Sequence, residues 1–292
     1  MALINAGCKS DAGKSVQDNY ENREECIITL ENNKDPQNVE NAQPDSFYYQ
    51  IDYESAGMTL SELEIGDRIV DPSWSWEYRT GYGISGSGEE RYVIWILVAK
   101  DHYPGMEPHI TLLAEELIGY YPFDNSTTRE GSMGSNHWGD SGAADATHGL
   151  RTWLNGTGIN EGEGFYRAFS DDFRNAVLST RLPTREWKEG EIYFTEDKVF
   201  IPSTTELGDR LHTWTYEIGT AFDFFEGAEF RKVFAKLDGD INWYWTRSPN
   251  RFDSYNVRRV SSRDFKISNA NTGKIAVRPA INLRPDLGIT GR

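Results

Sequence analysis

The fold is decided by the stretch Trp243-Tyr-Trp-Thr-Arg-Ser-Pro249, together with a second segment nearer the C-terminus, Val277-Arg-Pro-Ala-Ile-Asn-Leu283. Both read as strands, because aromatic and β-branched residues concentrate in them. Two more short strands, Asn256–Val260 and Phe265–Ile267, lie between them, and Ser, Asn, Asp and Gly turns separate the four. The pattern predicts an antiparallel C-terminal β-meander.

Upstream, the strongest strand signal is Tyr92–Ala99, which a short Pro-Gly turn connects to the apolar run His109–Leu113. These two runs predict a central antiparallel hairpin. Helical patterns follow from about 170 to 179, after the capping box Ser203-Thr-Thr-Glu206, and over Ala228–Lys236. Strands, then helices, then strands predict an α+β fold.

Three regions differ in composition. Residues 1–57 are polar and acidic and are predicted to be an N-terminal arm or appendage, residues 58–283 the main domain, and residues 284–292 a tail. Cys8 and Cys26 both precede the main domain, so no disulfide is predicted within it. Gly-Lys-Ser at residues 13–15 resembles the end of a phosphate-binding loop, but the first glycine of that motif is misplaced, so a nucleotide site is not predicted.

The formal net charge of −16 disfavours a nucleic-acid partner, because phosphate backbones attract clustered Lys and Arg. Charge is nevertheless segregated along the chain. Residues 1–60 carry four basic and eleven acidic side chains, whereas residues 243–283 carry eight basic and two acidic ones. The C-terminal part is therefore predicted to present a locally basic face that could steer an acidic partner.

The first residues, Met-Ala-Leu-Ile-Asn-Ala-Gly, are too short in their apolar run for a secretory signal peptide, and no stretch has the apolar length of a transmembrane helix. The sequence therefore predicts no membrane insertion, and a location in the cytoplasm or in a phage particle. Surface display by another route remains an alternative, and the sequence leaves the oligomeric state open.

Catalytic and metal-binding patterns are weak. No Gly-x-Ser-x-Gly elbow or Cys–His pair occurs, and the paired acids are sequence neighbours whose side chains diverge, so no catalytic residue and no enzyme activity is predicted. His137, Asp140, Asp145 and His148 lie in one Gly/Ser/Asn-rich loop from residue 125 to 149, but their spacing matches no fixed metal motif. They remain weak metal candidates, and neither a metal nor a cofactor is predicted.

Residues 250–271 stand out by composition. Tyr, Phe, Arg, Asp, Ser and Asn predominate there, the mixture of rigid aromatic and small polar side chains that paratopes use. Trp243 and Trp245 share one strand face by alternation and are predicted to be core residues rather than a carbohydrate-stacking platform, so Tyr244 should face the other way. The residues predicted to contact a ligand are Tyr244, Asn250, Arg251, Phe252, Asp253, Ser254, Tyr255, Asn256, Arg259, Arg263, Asp264, Phe265, Lys266, Asn269 and Asn271.

The two framing motifs also resemble the C-terminal signature of a large bacterial and phage domain family of unknown function, many of whose members look like variable proteins of diversity-generating retroelements. Upstream matches in the same order extend the resemblance over about residues 58–283. It implies a C-type-lectin-like fold that displays diversified residues between fixed framing motifs. The calcium motifs of sugar-binding animal lectins and the C-terminal cysteines of sulfatase-activating enzymes are absent.

These observations lead to a first hypothesis of a binding protein that presents residues 250–271 to a protein or glycan ligand. The alternative is a phage tail or host-attachment structural protein that uses the same surface. An enzyme of the sulfatase-activating type is a third and weaker alternative. Phe252, Tyr255, Arg259 and Phe265 are all expected to be dispensable for folding, since none is predicted to lie in the core.

Overall fold

The computed structural model describes residues 48–51, 58–78, 89–125, 133–139, 149–157, 163–188, 192–209, 219–227 and 233–291. Most of the predicted N-terminal arm, including the Gly-Lys-Ser motif and both cysteines, lies outside these residues. Three of the weak metal candidates, Asp140, Asp145 and His148, also lie outside them.

The described residues are mainly β-structure. The strands are β1 (Tyr48–Ile51), β2 (Met58–Thr59), β3 (Arg68–Val70), β4 (Trp76–Tyr78), β5 (Glu89–Arg91), β6 (Ile94–Lys100), β7 (Ile110–Ala114), β8 (Thr180–Arg185), β9 (Ile192–Asp197), β10 (Val199–Phe200), β11 (Ala235–Leu237), β12 (Asp240–Asn242), β13 (Tyr244–Pro249), β14 (Asn256–Val260), β15 (Phe265–Asn269), β16 (Ala280–Leu283) and β17 (Gly288–Gly291). The α-helices described are α1 (Leu150–Asn155) and α2 (Asp171–Ala176), each of six residues. The prediction of an α+β class with a C-type-lectin-like fold is therefore wrong.

The largest sheet has eight strands in the order β10-β16-β7-β6-β3-β1-β17-β2. Its centre is the antiparallel pair β6–β7, which confirms the predicted hairpin. All five residues of β7 are buried, as are the middle residues of β6, because both faces of this sheet region are covered. The only parallel pairing among the described strands of this sheet is that of β1 with β3.

The C-terminal strands do not form one meander. β13, β14 and β15 make a separate three-stranded antiparallel sheet, as predicted for them. β16 instead lies between β10 and β7 in the large sheet, with Ile281 opposite both Val199 and Leu112. The predicted fourth strand of the meander is thus an interior strand of another sheet, next to its edge strand β10.

The large sheet also extends past the predicted domain bounds of 58 and 283. β1, from the predicted arm, pairs with β3 and with β17, and β17 lies within the predicted tail. The described residues between 48 and 291 belong to one compact unit. The predicted bounds therefore divide strands that pair with one another.

The helical predictions have mixed outcomes. α2 begins as predicted, because the Ser170 hydroxyl accepts a hydrogen bond from the Phe173 amide at 3.2 Å. The capping box forms between Ser203 and Glu206, but a turn follows it rather than a helix. The helix predicted over 228–236 is wrong at its end, where β11 pairs with β12. Residues 228–232 lie outside the described part of the chain.

Candidate ligand-binding surface

The candidate surface is built on the three-stranded sheet β13-β14-β15. Its middle strand carries Val260, which pairs with Tyr244 on one side and with Phe265 on the other. All three side chains of this row are buried, and the Tyr244 hydroxyl donates to the Val233 carbonyl at 2.5 Å. Tyr244 and Phe265 are therefore core residues, which corrects their assignment as ligand contacts.

The two tryptophans of the framing motif have different environments. Trp245 is fully buried, packs against Phe123 and donates from Nε1 to the Tyr121 carbonyl at 2.8 Å. Trp243 lies just before β13 and is 44% exposed. Alternation failed here for two reasons: Trp243 lies outside the strand, and within β13 every residue is buried, including Tyr244. The prediction that Trp243 is a core residue was wrong.

The loop 250–256, which connects β13 to β14 and includes the first residue of β14, is held by a residue that sequence reasoning missed. Asn136 is buried, and its Nδ2 lies 3.2, 2.6 and 3.0 Å from the carbonyl oxygens of Asn250, Asp253 and Asn256. Its backbone amide also donates to the Ser254 carbonyl at 2.8 Å. Because Asn136 belongs to a Gly/Ser/Asn-rich segment predicted to be a surface loop, nothing in the sequence distinguishes it from its neighbours.

The Asp253 carboxylate forms further hydrogen bonds inside the same loop. Asp253 accepts hydrogen bonds from the Asn250 side chain at 2.5 Å, and from the backbone and side-chain amides of Asn256 at 2.6 and 2.9 Å. The Asn250 amide donates in turn to the Asn256 carbonyl at 2.9 Å. These three residues, predicted as ligand contacts, therefore give the loop its shape.

Most of residues 250–271 are at least partly exposed. Phe252, Arg263, Lys266 and Asn269 are exposed, whereas Arg251, Asp253, Ser254, Tyr255, Asn256, Asp264 and Asn271 are half-buried. Asn250 and Arg259 are buried.

Two exposed aromatic rings on this surface are each in contact with an arginine guanidinium. The Arg259 guanidinium lies 3.8 Å from the ring centroid of Trp243, and that of Arg251 lies 4.8 Å from the ring of Phe252, which is 55% exposed. Such contacts between a cation and a ring face are attractive. A third pair, Arg181 over Phe194 at 3.7 Å, lies on the β8–β9 hairpin outside this segment.

The local excess of positive charge is smaller at the surface than in the sequence. Four of the eight cations of residues 243–283 are buried, namely Arg247, Arg258, Arg259 and Arg278. Arg278 donates from Nε to the Ala114 carbonyl at 2.8 Å, so its guanidinium is bonded to the backbone of β7. The predicted basic face therefore presents fewer positive charges to solvent than the sequence indicates.

Arg247 of the framing motif forms a buried ion pair. Its two terminal nitrogens each lie 2.5 Å from an oxygen of Glu206, whose carboxylate also accepts from the Tyr103 hydroxyl at 3.1 Å. Burial would raise the pKa of Glu206, but Arg247, together with His102 and the Ser203 amide, outweighs burial and holds the pKa below the ordinary 4.5. Burial also lowers the pKa of the neighbouring His102 from 6.5, more than Glu206 raises it.

Of the weak metal candidates, only His137 is described. Its ring stacks on Tyr193 with centroids 3.9 Å apart, and its Nε2 lies 3.9 Å from a carboxylate oxygen of Glu186. Within the described ranges, no group of three or more His, Cys, Asp or Glu side chains is arranged to hold a metal ion.

Comparison with known proteins gives a family and no activity. The family model described as a domain of unknown function (DUF6273) matches residues 110–285, which is more than half of the chain, and the chain belongs to this family. No curated protein and no solved structure matches the chain. Among the helices described, none has the length and apolar character needed to cross a membrane.

Proposed function

We propose that this protein is a ligand-binding protein whose contact surface is formed by β13–β15 and the loop 250–256. The observation that carries the proposal is the exposure of two large aromatic side chains, Trp243 and Phe252, each with an arginine against its ring. Aromatic residues and arginine are the side chains most enriched in the energetically dominant parts of protein interfaces.

The rigidity of the loop supports the same proposal. Asn136 and Asp253 fix its backbone through hydrogen bonds that leave the side chain of Phe252 at the surface. A contact surface held in one conformation before binding loses less conformational entropy when its ligand arrives. The arrangement therefore supports specific binding by a preorganised surface.

If a retroelement diversifies this segment, the hydrogen bonds of the loop indicate which of its positions can vary. Substitution at Phe252 or Tyr255 would leave the backbone hydrogen bonds of the loop in place, whereas substitution at Asn250, Asp253 or Asn256 would remove part of them. We therefore expect variation at the first two positions and conservation at the last three. Sequences of the same segment in related chains test this expectation, and variation at Asn250, Asp253 and Asn256 as frequent as that at Phe252 and Tyr255 would contradict it.

Binding itself is tested on an array of immobilised glycans and purified cell-surface proteins. The unsubstituted protein should bind at least one array member saturably, and the double variant Trp243→Ala/Phe252→Ala should lose about tenfold or more in affinity. The matched control is Arg181→Ala/Phe194→Ala, which removes an equivalent pair from the β8–β9 hairpin. Binding that is absent throughout, or that the two double variants reduce equally, would contradict the proposed surface.

A further inference from the structure

The border strand β15 has little of the protection that proteins usually give to a sheet edge. Among the described strands, only β14 pairs with it. Edges are commonly protected by several charges, a proline, a bulge or a very short strand. β15 has five residues in continuous register, no proline and one charged residue, Lys266, which forms an ion pair with Asp264 at 2.8 Å. The strands β8 and β9, by contrast, each carry two charged residues.

The hydrogen bonds at the two ends of the β14–β15 ladder indicate which backbone groups of β15 the ladder leaves unused. At one end the Ser261 amide donates to the Asp264 carbonyl at 2.9 Å, and at the other the Ala270 amide donates to the Tyr255 carbonyl at 2.8 Å. Hydrogen-bonded pairs alternate along an antiparallel ladder, so the even-numbered residues of β15 are bonded to β14. The odd-numbered residues direct their amides and carbonyls away from β14, namely Phe265, Ile267 and Asn269.

An apolar side chain accompanies this free border. Ile267 is 43% exposed although it lies in the middle of β15, opposite the buried Arg258. Water can hydrate the outward backbone groups, but the side chain is stabilised only by an apolar neighbour. β-Branched residues that lie directly opposite each other in an antiparallel pair pack well. The border therefore fits a strand that brings a β-branched residue to the position opposite Ile267.

We propose that β15 pairs with β15 of a second copy of this chain, antiparallel and about a two-fold axis at Ile267. The two Ile267 residues then lie opposite each other, and Phe265 pairs with Asn269 of the second copy. Lys266 lies opposite Ser268 of the second copy, so no like charges face each other. An axis at Lys266 would instead place two ammonium groups opposite each other. The segment is thus complementary to itself in one register, as a two-fold interface requires.

This pairing joins two three-stranded sheets into one sheet with the order β13-β14-β15-β15-β14-β13. A two-fold axis between antiparallel strands is perpendicular to the sheet, so both copies direct the same face to the same side. The Trp243–Arg259 contacts of the two copies then lie on one face of the joined sheet. The dimer goes beyond the proposed binding function and stands without it, and it would let a target with repeated sites bind both copies at once.

Sedimentation velocity of the full chain tests the dimer. Two five-residue strands bury a small area, so we expect a dissociation constant of roughly 10–500 µM. The salt concentration is about 0.3 M, which screens the repulsion between two chains of net charge −16. Ile267→Lys should raise the dissociation constant about tenfold or more, because it places two ammonium groups opposite each other. The matched control is Ile241→Lys, at an exposed isoleucine on β12, which should stay within about twofold. Circular dichroism checks that each variant is folded.

Cross-linking tests the register. In a Cys8→Ser/Cys26→Ser background, Ile267→Cys places two thiols on residues whose Cα atoms lie about 5.5 Å apart, within reach of a disulfide. Asn269→Cys is the matched control, because residue 269 lies opposite residue 265 and its two copies are offset by about 13 Å along the strands. Mild oxidation should link the first variant into a covalent dimer and leave the second unlinked.

Three results would overturn the inference. These are sedimentation as a monomer at about 1 mM protein, equal dissociation constants for Ile267→Lys and Ile241→Lys, and equal cross-linking of Ile267→Cys and Asn269→Cys. Each leaves the proposed binding function to the array experiment, where the Trp243→Ala/Phe252→Ala variant tests it separately.

Discussion

Replacing Asn136 by alanine tests whether one buried amide shapes the loop 250–256. The two hydrogens of its Nδ2 can satisfy two of the three carbonyl oxygens around it, and each bond contributes about 0.5–1.5 kcal/mol net. The buried Oδ1 has no partner among the described residues, so its removal offsets the cost of leaving those carbonyl oxygens without a donor. We expect the free energy of unfolding to fall by about 1–3 kcal/mol.

Hydrogen exchange localises the effect. The amides of Asn250 and Asn256 are bonded within the loop, so their protection should fall by roughly 5- to 150-fold, the equivalent of about 1–3 kcal/mol. Asn269→Ala, on the exposed side of β15, is the matched control and should change neither quantity. If both amides of a folded Asn136→Ala variant exchange within twofold of the unsubstituted rate, the amide does not hold the loop.

Three further predictions concern the framework. Glu206→Gln should lower the free energy of unfolding by about 3–5 kcal/mol in urea titrations, because it leaves Arg247 buried without its counter-ion; a loss below about 1 kcal/mol would contradict this. Stability of the unsubstituted protein should decline as the pH falls below about 6.5, because the pKa of His102 is lower in the folded state. It should decline again below about 4.5, since the pKa of Glu206 is also depressed. Urea midpoints against pH check both phases, and Glu206→Gln should lack the second. Gly134→Ala should cost clearly more than Gly105→Ala in thermal unfolding, because both residues have positive φ but only at Gly134 would the new Cβ lie 2.2 Å from a backbone oxygen; equal costs would refute the steric argument.

Features encoded by neighbouring residues were predictable. The hairpin β6–β7 follows from two apolar runs joined by a short turn, and α2 begins at Ser170 because a serine hydroxyl caps the first free amides. The capping box of residues 203–206 also formed, and its Glu206 neutralises Arg247 as well, yet a turn follows it and not a helix. Local signals thus specified local geometry but not the structure that continues from it.

Features that depend on distant partners were not predictable. β16 has the composition of any buried strand, and nothing in its residues selects β7 and β10 as its neighbours. Trp243 was assigned to the core because alternation was extended to it from Trp245, whereas the strand β13 begins only at Tyr244. Asn136 contacts residues more than a hundred positions away, so no pattern around it indicates its role.

The position of β16 has a consequence for how the protein folds. β16 fills the gap between β7 and β10, and its partner β7 lies more than half the chain length before it. During synthesis, β7 therefore presents an unpaired edge of buried-type residues until almost the whole domain has been translated. Pairings this distant are slow to form, because loop closure precedes the contacts that stabilise it. Newly made chains should therefore be most vulnerable to aggregation through β7.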